Sequence, residues 1–574
     1  VVLWPAERAV DGEPVDATDR AALDCLHLLH VVRALAGATD EAKLWIVTAG
    51  AQPAGGGSEP LSPSQAALWG LGRSIASRYP RHWGGLVDLP PGELQPRDAA
   101  ALVAELREPD GEDQIAYRGG RRLVARLVRA AGPDAAPPAL SARATYLVTG
   151  GLGGVGRKVA RWLVDRGARH LVLTGRTALP PAGSLPETSP DDELLARLAA
   201  VRELEARGAT VEVVAVDVAD RAAMAELLER IRAGGRPLRG VVHAAADIRP
   251  QPLDQLDDAA LRSMLGPKAG GAWTLHALTR ELDLDFFVLF SSTTSLLGSP
   301  ELAHYAAANQ FLGALAHQRA AEGLPALAID WGTWDVMRTF SVEEQEAVAR
   351  SGQNKMDAAR ALDAMGRLIG QGVVQRVVAD LDWSVLRPMY EARRRSAFLE
   401  RMVAAGRGQV VPAAPRAGAP RAGALVERIA NSRPSEAQAI VQAFVEDGVR
   451  RILGLGEAEP IDAEKGLFDM GMDSLMSIQL KGELELGVGE PLPATLTLNY
   501  PSVRALADYL ADRFAGRRAP DADRVTREEA AIADGDADDE LVAEIARLSD
   551  EESARLLLEE LSGLAIDADE PVDR

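Results

Sequence analysis

Cysteine is almost absent. Cys25 is the single cysteine in 574 residues, so no internal disulfide can form and an oxidising compartment is not indicated. It sits in Asp24-Cys25-Leu26-His27, an apolar helical stretch that reads as the burial of a small side chain rather than as a nucleophile. Long hydrophobic runs are absent as well. No uninterrupted stretch of 18 apolar residues occurs, so no membrane span is expected and the expected location is cytoplasmic. Positive charge is scarce. Lys and Arg total 63 against 84 Asp and Glu, a formal net charge of −21. That argues against nucleic acid as the main partner, because phosphate binding needs a basic surface. No signal peptide is read at the N-terminus. Val1-Val2-Leu3-Trp4 reads as a strand inside a longer polypeptide.

What is present is organised in blocks. At roughly 100–200 residues per domain, the length allows about three to five domains. Residues 1–135 alternate strand-like and helix-like stretches, such as the apolar run Lys43 to Thr48 and the apolar-faced helix Gln65 to Tyr79. The Pro/Ala/Gly stretch Ala130 to Ala139 marks a boundary. A second α/β unit spans 140–403. Its apolar runs Thr145 to Val148, Leu171 to Thr174, Val211 to Val216, Gly240 to His243 and Phe286 to Phe290 alternate with helical stretches, a rhythm that predicts a doubly wound parallel sheet. Residues 404–437, rich in Ala, Pro, Gly and Arg, read as a flexible linker. A helix-rich unit follows over 438–515, then a polar acidic linker over 516–538. Helical periodicity returns over 539–574, with a leucine-rich face at 556, 557, 558, 561 and 564.

The run Thr149-Gly150-Gly151-Leu152-Gly153-Gly154-Val155-Gly156 follows a predicted strand and precedes a helix expected to start near Arg157. Glycines let the backbone turn sharply and approach a pyrophosphate, and the helix N-terminus offers free N–H groups and the positive end of its dipole. The strand–loop–helix context makes this a nucleotide site. The next strand ends Thr174-Gly175-Arg176. An acidic residue there would bond a ribose 2′-hydroxyl. Arg176 instead suits a 2′-phosphate, so NADPH is favoured over NADH. Asp217-Val218, after the third strand, is placed to cover the adenine edge.

Hydride transfer to a ketone needs a proton donor and groups that hold the carbonyl oxygen. Tyr305 and Asn309 are spaced i, i+4 and share a helix face. Ser292 lies 13 residues before Tyr305, at the end of an apolar strand. Lys268 lies upstream, at the start of a helical stretch, and a lysine ammonium near a phenol lowers its pKa. These residues, with the glycine run and Trp331-Gly332-Thr333-Trp334, resemble the ketoreductase of type I modular polyketide synthases, a branch of the short-chain dehydrogenase/reductase superfamily. Most of that superfamily has Lys four residues after the Tyr. The polyketide branch exchanges Lys and Asn, as Asn309 and Lys268 do here.

The resemblance implies roles. Tyr305 is the proton donor, Ser292 hydrogen-bonds the substrate carbonyl, Lys268 tunes and orients Tyr305, and Asn309 supports the network through water. It implies that Ala244 and Ala245 touch the cofactor and that no metal takes part. It also implies that residues 1–135 are a truncated Rossmann-like half without catalytic residues, marked by Gln65 to Arg73 and Asp113 to Arg118. The chain departs from the family in three places. The usual His-Ala-Ala-Gly is His243-Ala244-Ala245-Ala246-Asp247; the Leu-Asp-Asp of one stereochemical class is Ile248-Arg249-Pro250; the Trp of the other class is Leu297. The direction of hydride delivery therefore stays open, with a lean away from the Trp class. A carrier and docking scaffold with a silent or epimerising reductase is the alternative reading.

Leu467 to Leu475, containing Gly471-Met472-Asp473-Ser474-Leu475, resembles the acyl carrier protein signature. There Ser474 carries a 4′-phosphopantetheine arm, within an all-α four-helix domain. The same resemblance implies the wider setting. It implies upstream ketosynthase and acyltransferase domains and a phosphopantetheinyl transferase. It also implies a homodimeric parent synthase and a downstream polypeptide docked through the C-terminal helices.

Overall fold

The computed structural model describes residues 2–3 and, apart from 38–41, 57–58, 60, 93, 133, 181–191, 336–350 and 392–395, residues 16–402. In the C-terminal part it describes Leu425, 434–453 and a subset of 461–514. These residues fall into two compact units. One holds everything to Leu386 together with Ser396–Val403; the other holds the C-terminal helices.

The first unit contains two parallel sheets. The smaller has the order β1-β2-β3-β4-β5, formed by Val2–Leu3 (β1), Leu44–Ala49 (β2), Trp83–Leu89 (β3), Gln114–Arg118 (β4) and Arg121–Val124 (β5). Only β5 runs antiparallel to its neighbour. Its helices are Ala17–Ala36 (α1), Pro63–Arg78 (α2) and Pro96–Arg107 (α3). Cys25 is buried in α1, and burial pushes its thiol well above the usual range.

The larger sheet is built from Thr145–Thr149 (β6), His170–Gly175 (β7), Thr210–Ala215 (β8), Leu238–His243 (β9), Phe286–Ser292 (β10), Leu327–Trp331 (β11) and Gln375–Val378 (β13). A short antiparallel pair, Gln353–Asn354 (β12) with Asp380–Leu381 (β14), stands apart. The order β13-β11-β10-β9-β6-β7-β8 reverses direction between β6 and β9, and parallel sheets bind ligands at the carboxyl ends beside such a reversal. β6 and β11 are buried along their whole length, which is why they read as continuous apolar runs.

Helices cover both faces. Gly154–Asp165 (α4), Asp192–Ala206 (α5) and the helix Ala358–Gln371 share one core through Val159, Leu163, Leu204, Leu362 and Met365. On the other face lie Arg221–Ala233 (α6), Asp258–Leu265 (α7), Gly271–Thr279 (α8), the short Thr294–Leu297 (α9) and Ala303–Ala321 (α10). Their core is continuous with that of the smaller sheet, running from Ile46 and Leu68 through Leu275 to Phe287 and Phe311. The Ala-rich start of α10 is buried on nearly every side, because α2 closes on it from the smaller half.

The second unit is helical. Pro434–Leu453, Leu496–Asn499 and Val503–Phe514 are helices, and Val441, Val445, Leu480, Leu484, Leu506 and Leu510 form its core.

Candidate active site

β6 ends at Thr149 and the chain turns at once. Gly150 takes φ +67, and a Cβ there would lie 2.9 Å from the Ala244 carbonyl oxygen. A Cβ on Gly156 would lie 2.1 Å from the Gly150 oxygen. The loop is therefore pressed between the segment after β9 and the first turn of α4, and only glycine fits. Gly153, at the N-cap, supplies no side-chain acceptor. The first-turn N–H groups of α4, beginning at Gly154 and Val155, are left to an incoming anion. The helix starts three residues before the expected Arg157, because packing at Gly156 outweighs the low helix propensity of glycine.

A cleft of about 220 Å³ opens over this loop. Of the residues expected to touch the cofactor, it is lined by Gly150, Leu152, Gly153, Thr174, Gly175, Arg176, Asp217, Val218, Ala244 and Ala245. Thr149, Gly154 and Val155 do not line it. The Gly151 N–H donates to the Thr174 oxygen at 3.1 Å, which ties the loop to β7. Arg176 is 60% exposed, and its Nη2 donates to Asp247 Oδ2 at 2.8 Å. Arg249 Nη2 donates to the same oxygen at 2.9 Å. The two guanidinium groups, Arg176 foremost, hold the Asp247 carboxyl below the usual carboxylate range.

The four residues expected to do chemistry converge beside the end of β10. Lys268 lies in a single π-helical turn, Gly266–Gly270, rather than in the first turn of an ordinary helix; such turns are frequent at functional sites. Its Nζ donates to the Phe290 oxygen at 2.8 Å and stands 5.1 Å from the centroid of the Tyr305 ring. Burial pushes Lys268 down to about 7. Tyr305 is 8% exposed. Burial holds its phenol above the usual value, while hydrogen bonds with Asn309 and Ser292 pull it down. Asn309 Nδ2 donates to the Tyr305 carbonyl oxygen one turn back, at 2.7 Å. Its Oδ1 is buried and meets no donor among the described residues. Ser292 ends β10, and its Oγ accepts from the Thr294 N–H at 3.2 Å.

His243 joins the two ends of the site. Its Nε2 lies 2.8 Å from the Lys268 carbonyl oxygen, which can only accept. Nε2 therefore carries the proton, and Nδ1 accepts from the Thr149 hydroxyl at 2.7 Å. Burial, with the Lys268 charge behind it, pushes His243 down to about 3, so the ring is neutral. The sequence offered one signal for it, a polar residue closing the buried strand β9. Of the departures from the family pattern, Ala246 lines the cofactor cleft and Leu297 is buried at the end of α9.

In the second unit, Leu467 and Met472 are buried in the core, and the Leu467 N–H donates to the Pro501 oxygen at 2.7 Å. Ser474 lies outside the described residues, as does the segment 539–574.

Residues 144–336 match the family described as a KR domain. Residues 1–127 match the Rossmann fold domain of the polyketide synthase extender module SpnB, and residues 443–510 match the phosphopantetheine attachment site. The chain is 37% identical over 497 residues to the polyketide synthase GfsA of Streptomyces halstedii, covering 85% of this chain and 6% of that protein. It is 36% identical over 494 residues to the pikromycin polyketide synthase component PikAIII of Streptomyces venezuelae, covering 84% of this chain and 30% of that protein. The chain thus spans only a fraction of these relatives. Among solved structures, an A-type ketoreductase from a modular polyketide synthase superposes with a TM-score of 0.61 at 38% identity, over 67% of this chain and 79% of that one.

Proposed function

The chain belongs to the ketoreductases of modular polyketide synthases, and from that premise we propose that it reduces a carrier-bound β-ketoacyl thioester to the β-hydroxyacyl thioester with NADPH. Its C-terminal domain then holds the acyl chain on 4′-phosphopantetheine at Ser474. The observation that carries the reading is the buried Lys268 ammonium facing the Tyr305 ring at 5.1 Å, with Ser292 and Asn309 at the same phenol.

The cleft residues fit NADPH. Gly150 lines the cleft where a Cβ would collide with the segment after β9, the α4 N-terminus accepts a pyrophosphate, and Arg176 offers a planar cation to a 2′-phosphate. When bound, NADPH supplies the hydride. Tyr305 gives its phenolic proton to the ketone oxygen as charge develops there. Ser292 Oγ donates a hydrogen bond to the same oxygen. The Lys268 ammonium stabilises the phenolate left behind. Asn309 fixes the turn of α10 that carries Tyr305, and its Oδ1 accepts from solvent in the proton path.

Two outcomes follow from this assignment. Arg176→Ala is expected to weaken NADPH binding about 10- to 100-fold, the worth of charge-assisted hydrogen bonds, and to leave NADH unchanged; titration of nicotinamide fluorescence measures both. The second concerns pH. Reduction needs a charged Lys268 beside a protonated Tyr305. As pH rises through about 7 the buried lysine loses its proton, the phenol becomes a weaker acid, and kcat falls. A pH–rate profile should show that limb in the parent and not in Lys268→Met, whose kcat is expected about 100-fold lower.

The reading further proposes the boundaries 1–135 and 140–403 for the two reductase halves and 438–515 for the carrier. It also places ketosynthase and acyltransferase domains upstream and a partner polypeptide at 539–574. No helix among the described residues is long and apolar enough to cross a membrane. The deciding experiment is NADPH consumption with a β-ketoacyl thioester. Turnover is expected. No turnover, with Ser474 still loaded by a phosphopantetheinyl transferase, would put the scaffold reading in its place.

A further inference from the structure

Among the described residues, the half built on the smaller sheet shows no glycine phosphate loop, and it carries none of Lys268, Ser292, Tyr305 and Asn309. Its helix α2 nevertheless lies backbone to backbone against α10. A Cβ on Gly70 would fall 2.2 Å from the oxygen of Ala306, the residue after Tyr305. A Cβ on Gly298, just past α9, would fall 2.7 Å from the Arg73 carbonyl carbon. The two halves are keyed together at the helix that bears the proton donor.

Arg73 sits in this seam, 7% exposed. Its Nε donates to Gln114 Oε1 on β4 at 3.0 Å, within its own half. Its Nη1 crosses the seam, donating to the Ser295 carbonyl oxygen at 2.7 Å and to Gln310 Oε1 at 2.9 Å. Gln310 follows Asn309. The Ser295 hydroxyl donates to the Ser292 carbonyl oxygen at 2.7 Å. Nearby Asp330, 1% exposed, accepts from Ser291 Oγ at 2.6 Å and from Gln375 Nε2 at 2.8 Å, and shares the Ser295 hydroxyl proton with the Ser292 oxygen at the longer distance of 3.2 Å. Burial pushes Asp330 up to about 6, and the Arg73 charge acts in the opposite direction. A buried guanidinium is costly unless its donors are placed. Here Nε is placed on Gln114 and Nη1 on the backs of the two segments that hold Ser292 and Asn309.

We propose that Arg73 is a positioning residue for the reduction, holding from the other half both the turn after Ser292 and the turn of α10 that carries Asn309. The inference rests on the reductase reading above.

Arg73→Lys tests it, because lysine keeps the charge but not the fork that reaches several acceptors. kcat is expected to fall about 10- to 100-fold, the scale of a small misplacement of reacting groups. NADPH affinity should hold, since none of the bonds above reaches the glycine loop or Arg176. In a Ser292→Ala background the same change should cost less, because the share of its effect that runs through Ser292 is already gone. An absorbance titration of the Tyr305 phenol, isolated by difference from Tyr305→Phe, should move to higher pH as the hydrogen bonds from Ser292 and Asn309 loosen. That titration needs no turnover, so it judges Arg73 even where the parent leaves NADPH unconsumed and the reductase reading fails. Gln310→Met, which removes one acceptor only, should shift phenol and kcat the same way by less, and it serves if Arg73→Lys does not fold. NADPH affinity falling in step with kcat, a full penalty in the Ser292→Ala background, or an unmoved phenol titration would overturn the proposal.

Discussion

Tyr305→Phe is expected to lower kcat about 100- to 10,000-fold, the usual worth of a positioned general acid, with NADPH affinity within about twofold of the parent. The substitution removes one oxygen. The ring that faces the Lys268 ammonium at 5.1 Å stays, and so does the bond from Lys268 Nζ to Phe290. The phenyl ring still fills its place in the core beside Ala307, Ala308 and Phe311. What goes is the phenolic hydroxyl at which Ser292 and Asn309 hydrogen-bond. Following NADPH absorbance with a β-ketoacyl thioester gives the rate, and fluorescence titration gives the affinity. A variant keeping more than a tenth of parental kcat would remove Tyr305 from its role. A variant that lost cofactor affinity in proportion would show instead that the ring's position, not its proton, had been disturbed.

The parts of this site that were legible in the sequence are local. The glycine run between a strand and a helix needs no distant partner to be recognised, and the i, i+4 spacing of Tyr305 and Asn309 puts them on one turn. Lys268 and Ser292 came from family resemblance, because spacing along the chain does not say which strand end a lysine reaches. His243 was hidden for the same reason. Its two bonds join β6 to the turn before α8, and strand order decides that. The π-turn around Lys268 left no trace, since one widened turn barely alters apolar periodicity. Arg176 was identified, but its pairing with Asp247, 71 residues away, was not. Arg73 stood inside a stretch noted only as marking a catalytically empty half. A buried arginine is invisible in sequence because its acceptors, Ser295 and Gln310, lie more than 200 positions away.

Ser474→Ala is expected to abolish loading by a phosphopantetheinyl transferase completely and to leave reduction of a free β-ketoacyl thioester within about twofold. Residues 443–510 match the phosphopantetheine attachment site, and a phosphodiester to serine needs the hydroxyl oxygen that alanine lacks. Among the described residues, the core of the carrier unit draws on residues between Leu425 and Ala511, and the core that holds Tyr305 draws on residues between Ala21 and Ala328. Losing one hydroxyl in the carrier leaves Tyr305, Ser292, Lys268 and Asn309 unchanged. What the variant loses is tethering. A substrate on the arm is held at an effective concentration set by the linker, and a free thioester has no such advantage in parent or variant. Intact mass after incubation with coenzyme A and the transferase reads the first effect, and NADPH absorbance reads the second. A mass gain in the variant would place the arm on another residue. Loss of free-thioester reduction along with loading would mean that the carrier supports the reductase physically, beyond presenting its substrate.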